Sequence, residues 1–132
     1  MNSKLPQALQ HIQEIAKKYG FGIGNIFHAG DGNLHPIVLY DPGNVKAFGK
    51  AIAASEEIIR YCVGPGGVLA GEHGVGMEKN DLMTLTFSKA DFDLMRRVHD
   101  AFNPCSSVES WQGFPAEQRL RRNPCQSKRD DG

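Results

Sequence analysis

In the stretch His28-Ala29-Gly30-Asp31-Gly32-Asn33-Leu34-His35, the residues Ala29-Gly30-Asp31-Gly32 separate two β-prone runs, residues 21–27 and 34–40. An Asp-Gly pair between such runs is a strong short-range signal for a hairpin. With Asp31 and Gly32 at the centre of the turn, residue 30 pairs with 33, 29 with 34 and 28 with 35. A four-residue loop over 30–33 gives the same pairing. His28 and His35 are therefore expected directly opposite each other on one face, with Cβ atoms about 4.5–5.5 Å apart. Two imidazole nitrogens at that separation can both reach one divalent ion at about 2.0–2.1 Å.

Helical periodicity surrounds this hairpin. Residues 4–19 carry Leu5, Leu9, Ile12, Ile15, Ala16 and Tyr19 at helical spacing, with Ser3 as N-cap and Gly20 as stop. After the turn Asp41-Pro42-Gly43, Asn44 is placed to cap a second helix over 45–63. Its apolar stripe reads Phe48, Ile52, Ile58, Ile59 and Cys62, and Gly64-Pro65-Gly66-Gly67 ends it. Val68-Leu69-Ala70 reads as a short strand, and a short helix is expected around 79–84. A last helix spans 88–102, with Ser88 and Asp91 as a capping-box variant and Asn103-Pro104 as its stop. The order helix, strand, strand, helix, strand, helix predicts an α+β fold with helices on one face of a mainly antiparallel sheet. One domain is expected over 1–115. Residues 116–132 hold five basic and three acidic side chains and little apolar content, and are expected to form a disordered tail.

A second glycine-framed motif follows the third expected strand: Gly71-Glu72-His73-Gly74-Val75-Gly76. Zinc, manganese and iron accept two imidazoles and one carboxylate and leave positions open for water or substrate. Glu72 can complete such a set with His28 and His35. In a regular strand His73 would point away from its neighbour, but flanking glycines permit an irregular backbone that brings both to one site. A neutral histidine beside a metal suits general-base work near pH 7. Asn33 either orients a ligand or stabilises the turn. His11 and His99 fall within helices and Cys62 on the apolar side of one, so none is assigned a chemical role. Glycine itself marks these places: it supplies 15 of the 132 residues, against a usual share of about 7%, and most lie in clusters at 20–32, 64–67 and 71–76.

Composition removes other classes. Fifteen basic and fifteen acidic side chains balance to zero net charge, which argues against nucleic acid as the main partner. No apolar run reaches the roughly 18–20 residues of a membrane span. Cys62, Cys105 and Cys125 are odd in number and lack CxxC spacing, the pattern of reduced thiols in a soluble cytoplasmic protein. Neither a GxGxxG nor a P-loop occurs, nor GxSxG or HExxH.

Taken together and in order, His28 through Pro36 and Gly71 through Gly76 resemble the C-terminal cap domain of FAD-linked oxidases, over about residues 5–104. The likeness is to glycolate oxidase flavoprotein subunits and to D-lactate and D-2-hydroxyglutarate dehydrogenases. The resemblance implies a ferredoxin-like α+β domain lying over the flavin of FAD, which a separate domain or subunit binds. It implies His28, His35 and Glu72 as ligands of a divalent metal, zinc being the expected ion. It also implies His73 as the base that takes the hydroxyl proton of a small 2-hydroxy acid while hydride passes to the flavin.

Neither the family's FAD-binding domain nor the first half of the cap lies within these residues. The usual Asn-Pro-Gly-Lys reads Glu109-Ser110-Trp111-Gln112 here, with Phe114-Pro115 kept after it. A truncated, non-catalytic remnant or assembly module of such an enzyme is therefore the alternative expectation. Ligand chemistry alone also admits a free-standing metallohydrolase.

Overall fold

The computed structural model describes residues 4–103 and Pro115. The chain divides into two compact units, with the boundary between Gly71 and Glu72.

In the first unit, helix α1 (Leu5–Tyr19) is followed by strands β1 (Gly22–His28) and β2 (Asn33–Leu39) and by helix α2 (Val45–Val63). α1 ends where Gly20 turns left-handed, at φ 74°, a conformation glycine reaches without the Cβ penalty. Its N-cap is Lys4, with no side-chain hydrogen bond; the expected cap, Ser3, lies outside the described residues. α2 starts at Asn44, whose side chain accepts from the backbone N–H groups of Lys46 and Ala47 at 3.1 and 3.2 Å, the expected cap.

The core of this unit is Ile12 and Ile15 of α1 against Ala54 and Ile58 of α2, with Tyr19, Phe21, Ile23, Leu34 and Cys62 packed around them. Ile23 and Leu34 point from the hairpin toward these helices, so both helices cover one face of the sheet. The stripe expected on α2 holds at Ile58 and Cys62, which lie in and against the core, and is corrected at Phe48 and Ile52. Ala51, Ala54 and Ile58 are its buried residues, while Phe48 and Ile52 are exposed. Alanines let two helices approach more closely than larger side chains would, so contact with α1 selects the small residues over the large ones. Phe48 rests instead beside Tyr40, ring centroids 6.0 Å apart.

Polar contacts join the same two helices. Lys18 Nζ donates to both carboxylate oxygens of Glu57 at 2.9 and 2.7 Å, and the Tyr19 hydroxyl donates to Glu57 at 3.0 Å. Hydrogen bonds from Lys18, then Tyr19, hold the Glu57 carboxyl below its ordinary range. The His11 ring stacks on Tyr61 at 3.9 Å. Burial pushes the Cys62 thiol up, as for a thiol packed on a core rather than one poised to attack.

The strand expected at 68–70 does not form; the segment is irregular, with Leu69 buried. A strand needs a ladder partner, and β1 and β2 pair with each other alone among the described residues.

In the second unit a 3₁₀ helix (Asn80–Leu85) buries Asn80, Leu82 and Met83, where the sequence predicts a short helix. Helix α3 (Lys89–Phe102) opens with the expected capping box of Ser88 and Asp91, both reciprocal hydrogen bonds being present. Those bonds from Ser88 keep the Asp91 carboxyl below its usual range. Phe92 is fully buried, and Arg96 pairs with Asp93 at 2.8 Å. No helix among the described residues is long and apolar enough to cross a membrane. The expected tail, 116–132, lies outside the described residues.

Candidate metal site

The hairpin sets the site, and its register differs from the expected one. His28 faces Asn33, and His35 faces Ile26, so the loop is Ala29–Gly32. Gly32 is left-handed at φ 78°, and its N–H donates to the His28 carbonyl at 2.9 Å. That bond closes the loop one residue earlier than a two-residue Asp31-Gly32 turn allows. The shift moves His35 from opposite His28 to the diagonal position two residues along. A displacement of two residues preserves the face, because side chains alternate with period two. His28, Asn33 and His35 therefore still share the face turned away from α1 and α2.

On that face the two imidazoles meet edge to face, with ring centroids 5.5 Å apart and planes at 88°. His28 is exposed and His35 half-buried. Diagonal strand neighbours sit about 7–8 Å apart, within reach of aromatic side chains, and the rings close part of that distance. Each can then direct one nitrogen to a common ion at about 2.0–2.1 Å.

Asn33 occupies the same face. Its amide lies against Gly71: a Cβ on Gly71 would stand 2.5 Å from Asn33 Oδ1 and 2.9 Å from its Cγ. Gly71 was not singled out by sequence reasoning; the only signal was its place as the glycine before Glu72.

In the second unit, Glu72 and His73 lie in irregular backbone followed by left-handed Gly74 (φ 72°) and Gly76 (φ 61°). The expected break from regular strand geometry is present. His73 Nε2 lies 3.6 Å from Glu72 Oε2, with the two side chains 79% and 43% exposed. Adjacent residues thus turn toward each other, which a regular strand forbids. His11 and His99 stand apart from this chemistry, beside Glu14 and Asp100 respectively.

The comparisons with known proteins agree with this architecture. The family model described as FAD linked oxidases, C-terminal domain, matches residues 2–106. The glycolate oxidase subunit GlcD of Escherichia coli (strain K12) is 34% identical over 115 residues, covering 87% of this chain and 23% of that protein. D-2-hydroxyglutarate dehydrogenase of Stutzerimonas stutzeri is 32% identical over 117 residues, covering 86% of this chain and 25% of the relative. D-lactate dehydrogenase of Archaeoglobus fulgidus is 31% identical over 102 residues, covering 77% and 22%. The chain thus spans about a quarter of the length of these curated relatives. Matched across most of its length, and folded as helices over an antiparallel hairpin, the chain belongs to the C-terminal domain family of the FAD-linked oxidases.

Proposed function

We propose that this chain is the metal-bearing part of the substrate site of an FAD-dependent 2-hydroxy acid dehydrogenase of the glycolate or D-lactate type. In this reading His28, His35 and Glu72 hold a divalent ion, His73 is the catalytic base and Asn33 contacts the substrate. FAD is held by a binding domain or subunit beyond these 132 residues, and the odd, unclustered cysteines suit a cytoplasmic setting. The observation that carries the reading is the meeting of His28 and His35 on one face of the hairpin. Family membership supports FAD as cofactor, and the relatives' names, which include glycolate oxidase and D-lactate dehydrogenase, support a small 2-hydroxy acid as substrate.

The donor chemistry fits a metal. His28, His35 and Glu72 offer two imidazoles and one carboxylate, a set that zinc accepts with coordination positions left open. A bound divalent ion would lower the cost of ionising the substrate hydroxyl, and FAD would supply the hydride acceptor. The chain's own residues do the rest. An imidazole nitrogen of His73 accepts the hydroxyl proton, and the neighbouring Glu72 carboxylate, 3.6 Å away, stabilises the imidazolium that results. On the far side of the pair, a Cβ on Gly74 would meet nothing within 4 Å, which leaves room there for a substrate. Asn33 lies on the face of the two histidines, the side from which it would meet the substrate.

The test combines the zinc-loaded chain with a separately produced FAD-binding domain and D-lactate or glycolate, and follows anaerobic bleaching of the flavin. Bleaching is expected, slowed by about 10²–10⁴-fold in His73→Ala, the usual contribution of a general base. The second reading, a non-catalytic remnant or assembly module, is favoured by the altered residues Glu109–Gln112. Absence of bleaching in every combination would support it and contradict the first.

A further inference from the structure

We propose that the side-chain amide of Asn33 clasps Gly71 and thereby sets where Glu72 begins, making Asn33 a positioning residue for the metal site. This rests on the assignment of His28, His35 and Glu72 as ligands.

Three glycines of the 71–76 loop have different reasons to be glycine. Gly74 and Gly76 are left-handed, and a Cβ on either would meet nothing within 4 Å, so each serves backbone conformation. Gly71 has no positive φ. Its constraint is space, because the three atoms nearest an added Cβ, at 2.5, 2.9 and 3.2 Å, all belong to the Asn33 amide. That amide fills the volume a side chain would take.

Asn33 is also fixed to the histidines. It is the ladder partner of His28 and stands two residues from His35 on the same face. Gly71 is joined to Glu72 by one peptide bond, which sets their Cα atoms about 3.8 Å apart. One side chain thus ties the strand carrying the imidazoles to the residue preceding the carboxylate. Groups that orient metal ligands in this way matter to the metal: their loss typically costs about 10–100-fold in affinity.

The experiment titrates the full chain with Co²⁺ and reads both affinity and the visible d–d bands, which report ligand geometry. Asn33→Ala removes the amide, and Gly71→Ala displaces it. Each is expected to weaken Co²⁺ binding by about 10–100-fold and to shift the bands. Because both break one contact, the double variant should bind no more weakly than Asn33→Ala alone. Either single variant binding like wild type with unchanged bands, or a double variant losing the product of the two effects, overturns the clasp. Should Gly71→Ala fail to fold, Asn33→Ala decides alone: unchanged affinity and bands overturn the proposal. The two levels separate cleanly. Wild type without Co²⁺ binding, or His28→Ala binding as wild type does, overturns the ligand assignment and the clasp together. Binding that needs His28 but ignores Asn33 overturns only the clasp.

Discussion

His28 and His35 meet edge to face at 5.5 Å although neither is the other's ladder partner. Each occupies a diagonal position, with Asn33 opposite the first and Ile26 opposite the second. The pair therefore depends on the loop that sets the register more than on any contact between the rings. A slip of one residue would send His35 to the helix-covered face.

The loop's dependence on Gly32 gives a first prediction. Gly32 is left-handed, a conformation costing roughly 1–2 kcal/mol for a residue with a Cβ. Gly32→Ala should lower stability to urea by about that amount. Gly30→Ala is the control: Gly30 has no positive φ, and a Cβ there meets nothing within 4 Å. Equal losses in the two variants would show that the left-handed turn is not what fixes the hairpin.

The core of the first unit gives a second. Ile12 is fully buried between α1 and α2, so Ile12→Ala should cost about 2–5 kcal/mol by loss of burial and opening of a cavity. Ile52 is exposed on α2, and Ile52→Ala should stay within about 0.5 kcal/mol of wild type. Urea unfolding of both variants checks the corrected stripe. A large loss at Ile52 would restore the stripe expected from the sequence.

The contrast shows what was legible. Caps were read correctly where the partner lies within three residues, as at Asn44 and at Ser88 with Asp91, because their chemistry is local. The hairpin and the face of its histidines were also legible, since alternation survives a shift of two. The register was not, because the loop is closed by the Gly32 N–H on His28, a choice Asp-Gly alone does not dictate. The side of α2 that packs on α1 was legible at Ile58 and Cys62 but not in the first half of the helix. Hydrophobic size ranks Phe48 and Ile52 above Ala51 and Ala54, whereas close helix approach ranks them the other way. The contact of Asn33 with Gly71 joins residues 38 positions apart and leaves no periodic trace.

Acid titration gives a third prediction. Glu57 is held below the ordinary value of 4.5 by hydrogen bonds from Lys18 and then Tyr19. A carboxylate with a lowered pKa contributes stability that is present above 4.5 and lost as pH falls below it. Lys18 is shifted upward from 10.5, so its share is lost only as pH rises above that value. The pair is thus intact at neutral pH. The Tm of wild type should exceed that of Glu57→Gln at pH 7, with the gap closing in acid. A gap independent of pH would mean that packing, not the charge on Glu57, sets the difference.

Two imidazoles of the hairpin and the Glu72 carboxylate are proposed to share one ion. The direct measurement is zinc stoichiometry of the purified chain after dialysis, for wild type, His28→Ala, His35→Ala and Glu72→Gln. Wild type should retain one equivalent, and each variant should lose it or bind at least about 10-fold more weakly. A wild type that retains no zinc, or variants that hold it as tightly as wild type does, would contradict the account.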